Sequence, residues 1–268
     1  MQERLHGLIA RYTPGNKSTP AEKELTDPAL LERLRSLGYV AVSDGTVSDS
    51  NRNALPDPKD RVQVYEMVSR AMADGQHGRY EESLQKLREV EKTEAASVPI
   101  RYLMALDYYR LKDFPRALES FKSVIEIDPK FALARYYLGL TQVQLGDLDG
   151  ATSSFERALE LDPTNFSAVY SLGAIYLKKN RVSDALREFQ RATEINPNYA
   201  LAYEAQGELY LYLGRVQEAA RALERAVNLA PDFSKAHYNL GLAYQALGLT
   251  LDAKREFSRV RTLEPDQR

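Results

Sequence analysis

The chain has 268 residues, 44% hydrophobic and 28% charged, enough to bury a sizeable core in one or two domains. Lys plus Arg number 36 against 38 Asp plus Glu, a net charge of -2 with a pI near 6.0, so no basic excess exists to hold a phosphate backbone and nucleic acid is not an expected partner. No cysteine is present, which excludes disulfides, thiolate nucleophiles and cysteine zinc sites and leaves the compartment open.

In chain order, the opening "MQERLHGLIARY" interleaves Glu3, Arg4, His6 and Arg11 with its apolar residues, so it lacks the uninterrupted apolar core of a signal peptide. No later run approaches the length of a membrane span, and no membrane is expected as a partner. "DPALLERLRSLGYV", Asp27 to Val40, predicts a short helix with Asp27 as N-cap, Pro28 in its first turn and Gly38 as C-cap. Ala41 to Leu55 is rich in Ser, Asp, Asn and Gly with little apolar content, the composition of a flexible linker. "DPKD", Asp57 to Asp60, then starts a new helix. Residues 1–63 are thus expected to form an N-terminal helical and flexible segment with its linker.

The remainder is periodic. Prolines fall at Pro129, Pro163, Pro197, Pro231 and Pro265, each 34 residues after the last. Ala117, Ala151, Ala185, Ala219 and Ala253 keep the same step, as do Phe121, Phe155, Phe189, Leu223 and Phe257, and Ala105, Gly139, Gly173, Gly207 and Gly241. Within a unit, Ala151, Phe155, Ala158 and Leu159 recur at helical spacing and form one apolar stripe. Breaks such as "LGD" at Leu145 to Asp147 separate two helices, and the Asp-Pro or Asn-Pro step closes the second, since the residue before proline is pushed out of the α region. The glycine and alanine columns let helices approach closely, and the phenylalanine column fills the space so left.

A 34-residue helix-turn-helix with small, Gly, Tyr, Ala, aromatic, Ala and Pro positions in this order resembles the tetratricopeptide repeat family. The stretch Leu138 to Pro163 carries the motif with one departure, Gln142 at the usual tyrosine. The resemblance implies an all-α, right-handed superhelical solenoid of about six repeats, with units near 64–97, 98–131, 132–165, 166–199, 200–233 and 234–267 of an array spanning 64–268. Lys254 and Arg261 stand where earlier second helices carry Leu186 or Ala220 and Leu159 or Val227, the polar outer face of a capping repeat. Arg70 and Asp74 read as the same device in the first unit, which makes the array neither truncated nor open-ended.

The phrase "LERLRSLGYV", a polar spacer, "DPKDRVQVYEMV" and then repeats resemble the C-terminal tail of some bacterial sulfatase-like hydrolases that carry such arrays. That resemblance implies a tail without its enzyme, because the formylglycine motif has only "SVPIR", Ser97 to Arg101, as a partial match, with no Thr-Gly after it. "SVPIR" reads instead as a helix start. As a fragment of that kind the chain would be extracytoplasmic, with its opening helix the end of an absent domain.

Catalytic chemistry is not expected. His6, His77 and His237 are too far apart in register to assemble a metal site, His237 reads as a packing histidine, and no phosphate loop, serine elbow or cofactor motif occurs. Glu204 and Glu208 share a helical face with Lys235 nearby on the next repeat; the pair reads either as a socket for a ligand's cationic group or as a solvated face with a weak ion pair.

In the family, first helices line a concave surface that binds peptides. The register puts Tyr102, Tyr136, Tyr170, Glu204 and Tyr238 in one inward column, Leu106, Leu140, Ala174, Glu208 and Leu242 in the next, and Tyr109, Val143, Leu177, Leu211 and Gln245 in a third. Tyr137 falls toward the edge, and Tyr108, Tyr176, Tyr210 and Tyr244 are packing positions. Leucines where polar residues are usual predict an exposed apolar patch, which marks an interaction surface. The expected binding set is Tyr102, Leu106, Tyr109, Tyr136, Leu140, Tyr170, Leu177, Glu204, Glu208, Lys235, Tyr238 and Leu242. Its occupant is expected to be a protein or peptide, the chain's own N-terminal segment, or a second copy in a homo-oligomer.

Overall fold

The computed structural model describes residues 58–94 and 97–264. They form only α-helices, with no strand among them: α1 (Pro58–Gln76), α2 (Tyr80–Thr93), α3 (Val98–Arg110), α4 (Phe114–Ile127), α5 (Ala132–Gln144), α6 (Leu148–Leu161), α7 (Phe166–Lys178), α8 (Val182–Ile195), α9 (Ala200–Tyr212), α10 (Val216–Leu229), α11 (Ser234–Ala246) and α12 (Thr250–Leu263). The helix expected at Asp27 to Val40 and its linker lie outside the described residues.

Each pair closes through a turn with one left-handed residue. Gly78, Gly146, Gly214 and Gly248 hold φ of 77°, 81°, 74° and 77°, and Lys112 and Asn180 take the same place at 61° and 60°. Glycine adopts this conformation without a Cβ clash, while Lys112 carries a strain of about 1 kcal/mol. At the other end, α4 stops at Ile127 before Asp128-Pro129 and α8 at Ile195 before Asn196-Pro197, as the proline step requires.

The glycine column is the seat of the large second-helix column. A Cβ on Gly173 would lie 2.7 Å from Phe189 Cε1, one on Gly207 2.4 Å from Leu223 Cγ, and one on Gly241 2.6 Å from Phe257 Cε1. Close approach within these three pairs therefore depends on the missing side chain.

The chain divides into two compact units inside α6, between Ser154 and Phe155. In the N-terminal unit, Val68, Leu87, Ile100, Phe121, Val124 and Phe131 belong to one core. In the C-terminal unit, Leu177, Phe189, Leu209, Leu223 and Leu240 do the same. Lys254 and Arg261 of α12 are exposed, whereas Leu186 and Ala220, in the Lys254 column, are buried. Asp74 departs from expectation. It is buried, with Arg79 Nη2 and Lys86 Nζ each 2.6 Å from its carboxylate, because the N-cap residue of α2 and a lysine within that helix draw it inward. Those hydrogen bonds, that of Lys86 first, hold Asp74 below the usual carboxylate range.

Candidate functional site

In the N-terminal unit the expected anchors lie on α3 and α5. Tyr102 is only 1% exposed, its ring 4.8 Å from Phe131, 6.0 Å from Phe121 and 6.2 Å from Tyr137. It is a packing residue rather than an open anchor, because Phe131, the N-cap residue of α5, fills the space in front of it. Leu106 and Leu140 are each 8% exposed, so the exposed leucine patch expected from the sequence is absent at both. Tyr109 and Tyr136 remain partly exposed. Tyr137, between them, stacks on Phe121 at 5.8 Å and meets Tyr109 and Tyr136 edge-on at 5.9 and 5.3 Å. Both adjacent tyrosines are partly exposed; Tyr137 is the one stacked on the core ring of Phe121, and its ring also meets that of Tyr136.

Gln142, standing where α3, α7, α9 and α11 carry tyrosine, bonds within its own repeat. Its Oε1 accepts from Ser154 Oγ at 2.6 Å and its Nε2 donates to Asp147 at 3.3 Å.

In the C-terminal unit the same column behaves differently from repeat to repeat. Tyr170 packs on Phe189 at 5.2 Å and on Tyr199, the N-cap residue of α9, at 5.4 Å. Burial, with Tyr199, Glu204 and Glu208 adding to it, holds its hydroxyl well above the ordinary tyrosine range. Leu177 is fully buried core. Tyr238 is 46% exposed, 5.9 Å from Phe257, and Leu242 one turn further on is half-buried.

Glu204 and Glu208, one turn apart on α9, are neither a solvated face nor an empty socket: they are 2% and 5% exposed. Lys235 Nζ, from the first turn of α11, lies 3.0 Å from Glu204 Oε1 and 2.7 Å from Glu208 Oε2. Asn239 Nδ2 donates to Glu204 Oε1 at 2.8 Å. The protein's own ammonium thus stands where the socket reading would put a ligand's cation, and Asn239, one turn after Lys235, is a member that pattern reading missed. Burial raises Glu204 to about 7 against the opposing pull of Lys235, with Glu208 adding to the rise. For Lys235 burial works against the charge, but the two carboxylates outweigh it and hold the ammonium above its ordinary range.

Tetratricopeptide repeat family models match residues 102–166 and 142–209, and a TPR repeat model matches 207–248. These helix pairs are tetratricopeptide repeats. MamA from Desulfovibrio magneticus RS-1 is 26% identical, with a TM-score of 0.56 over 63% of this chain and 96% of that one. YrrB, described as a TPR protein with an unusual peptide-binding site, is 24% identical over 68% of this chain and 93% of its own at a TM-score of 0.55. PilF of Pseudomonas aeruginosa is 14% identical at 0.69, over 75% and 92%. At these identities YrrB and PilF show the fold alone. No curated protein matches the sequence. The sulfatase-tail resemblance runs from "LERLRSLGYV" through "DPKDRVQVYEMV", of which residues up to 57 lie outside the described ones, and no comparison shows it.

Among the described residues of the repeats, no three metal-ligating side chains converge and no helix is long and apolar enough to cross a membrane. His237 is buried, its Nε2 donating to the Pro231 carbonyl at 3.0 Å and its Nδ1 2.6 Å from Glu256, as a packing histidine should be. Ser97 and Pro99 of "SVPIR" sit at the N-terminus of α3, a helix start.

Another buried carboxyl, Asp107 on α3, stands in a column that otherwise reads Ala73, Thr141, Ile175, Leu209 and Ala243, a departure legible in the sequence. It is 6% exposed with Oδ2 unpartnered among the described residues. Burial pushes it up to about 7, against a Ser83 hydrogen bond and the Arg110 charge. Both Asp107 and Glu204 have folded values above their ordinary 3.8 and 4.5, so the folded chain takes up protons as pH falls through about 7. Stability should therefore rise from pH 8 toward about pH 5. Urea unfolding at the two pH values checks this, and Asp107→Asn and Glu204→Gln should each flatten the trend. Asp74, Asp184 and Glu218, held low by their cations, act in the opposite sense only below that window.

Proposed function

We propose that the array is a protein–protein interaction scaffold without catalytic chemistry of its own, binding a peptide or partner segment along its first helices. The observation that carries this reading is the exposed ring of Tyr238, with Leu242 one turn behind it on α11. In the N-terminal unit Tyr109 and Tyr136 reach the surface while neighbouring rings brace them, so each offers contact area at small entropic cost. Tyr102, Leu106, Leu140 and Leu177 are support for these faces. Tyr170, Glu204 and Glu208 shape the floor from which Lys235, its side chain 32% exposed, meets a ligand.

The test places a photo-reactive phenylalanine analogue at Tyr136, at Tyr238 and, as control, at the exposed Glu126 of α4, in the source cells. A second polypeptide cross-linked at Tyr136 or Tyr238 and absent at Glu126 is the expected result. An adduct of two chains of 30.3 kDa would identify the partner as a second copy, and an intrachain adduct with residues 1–57 would identify an internal ligand. Equal adducts at all three positions, or none at either tyrosine, would overturn the assignment.

A further inference from the structure

We propose that the cleft between α2 and the α3–α4 turn binds a carboxylate carried beside an apolar group, such as an acidic or C-terminal residue of a peptide. The cleft has a volume of about 420 Å³. Its floor is Leu84, Leu111 and the ring of Tyr108, and Arg88 and Arg116 stand on its walls. Arg88 Nη2 donates to the Tyr108 hydroxyl at 3.1 Å, which leaves the hydroxyl proton to offer to an acceptor. No carboxylate pairs with Arg88 among the described residues, so its remaining N–H groups and the hydroxyl converge as donors above an apolar base.

The other repeats provide an internal comparison. The position of Arg88 is held by Lys122 in α4, where Gln142 replaces the facing tyrosine, and by Glu156 in α6; in α8 it is Gln190, which donates to Tyr210 at 2.8 Å, and in α10 Glu224, which accepts from Tyr244 at 3.0 Å. At the next turn the charge order is also reversed. In α8 and α10 an arginine precedes the helix and an acid stands at its third residue, Arg181 with Asp184 and Arg215 with Glu218, each arginine lying 4.5 or 4.7 Å over its tyrosine. In α4 Asp113 precedes and Arg116 stands third, 3.3 Å from Asp113 and 5.8 Å from the Tyr108 ring. The helix dipole disfavours a cation in the first turn, and a local rule broken in this way marks a functional place. Its consequence is two guanidinium groups facing one cleft, whereas Tyr210 has the neutral Gln190 and one guanidinium, Arg215, beside it, and Tyr244 has the acidic Glu224.

Glu81, also in the lining, and Asp113 beside Arg116 keep the cleft from being a general anion trap. The recognised group is therefore a single carboxylate at Arg88 and Tyr108 whose apolar neighbour covers Leu84 and Leu111. This site uses none of Tyr109, Tyr136 and Tyr238 and stands or falls independently of them.

The experiment follows the arginine side-chain NH signals of the ¹⁵N-labelled full chain during titration with four probes. These are N-acetyl-leucyl-glutamate amide, N-acetyl-leucyl-leucine, its amide, and inorganic phosphate. Saturable shifts of Arg88 and Arg116 are expected with a carboxylate probe, at least about tenfold weaker with the amide and with phosphate. The stronger of the two carboxylates names the source, side chain or chain terminus. Arg88→Gln, which copies α8 and retains a donor to Tyr108, should lose that binding with an unchanged melting temperature. No saturable shift, an equal response to phosphate, or full binding by Arg88→Gln overturns the proposal.

Discussion

Phe189→Ala lowers the stability of the C-terminal unit by roughly 3–5 kcal/mol, the range for deleting a fully buried ring that cannot be replaced by collapse. Phe189 has no exposed surface, rests on the gap at Gly173 and packs 5.2 Å from Tyr170. The two helices meet around it, so an alanine leaves a cavity bounded by glycine on one side and tyrosine on the other. Urea unfolding followed by circular dichroism reads the loss. Because each repeat contacts only its neighbours, it should appear as early melting of α7 to α10 in hydrogen exchange. A loss no larger than that of Glu126→Ala would mean that the glycine–aromatic contact does not hold the pair.

The second large effect is at Lys235. Lys235→Met leaves Glu204 and Glu208 buried without the ammonium between them, and should cost about 3 kcal/mol at neutral pH. That is the low end of the range for removing one partner of a buried pair, since Lys235 keeps a third of its side chain in water. Replacing all three by Lys235→Met, Glu204→Gln and Glu208→Gln should restore most of the loss, because no uncompensated charge then remains buried. The single variant's deficit should also shrink as pH is lowered, since protonating Glu204 removes the charge left exposed to the apolar interior. A triple variant as unstable as the single one would show that packing by the Lys235 stem, not charge, matters there.

The repeat was legible because its columns carry the physics openly: Gly173, Gly207 and Gly241 seat the side chains at Phe189, Leu223 and Phe257, and the 34-residue step places each pair of helices. The candidate site was legible in part. Helical spacing gives the direction of a side chain but not what the next repeat sets opposite it. Tyr102 is covered by Phe131, whereas Tyr238 stands exposed in the same column, and only the aromatic residues just before α5 and α9 could have signalled the difference. Glu204 and Glu208 read as a surface pair because acids usually are; their burial depends on Lys235 and Asn239 arriving from α11. Asp107 departed from its column in plain view, and Arg88 is the cation of its column that meets a tyrosine, Tyr108; comparison across repeats, not along a helix, was what would have shown them.

The central claim is that the first-helix tyrosines hold a partner. Its most direct test is the affinity of the cross-linked partner, once purified, for the wild-type chain, Tyr136→Ala, Tyr238→Ala and Glu126→Ala. The account predicts that at least one tyrosine variant weakens binding by roughly tenfold or more with unchanged thermal melting, as removal of an aromatic anchor does, while Glu126→Ala binds as wild type. Equal affinity in all four would contradict it.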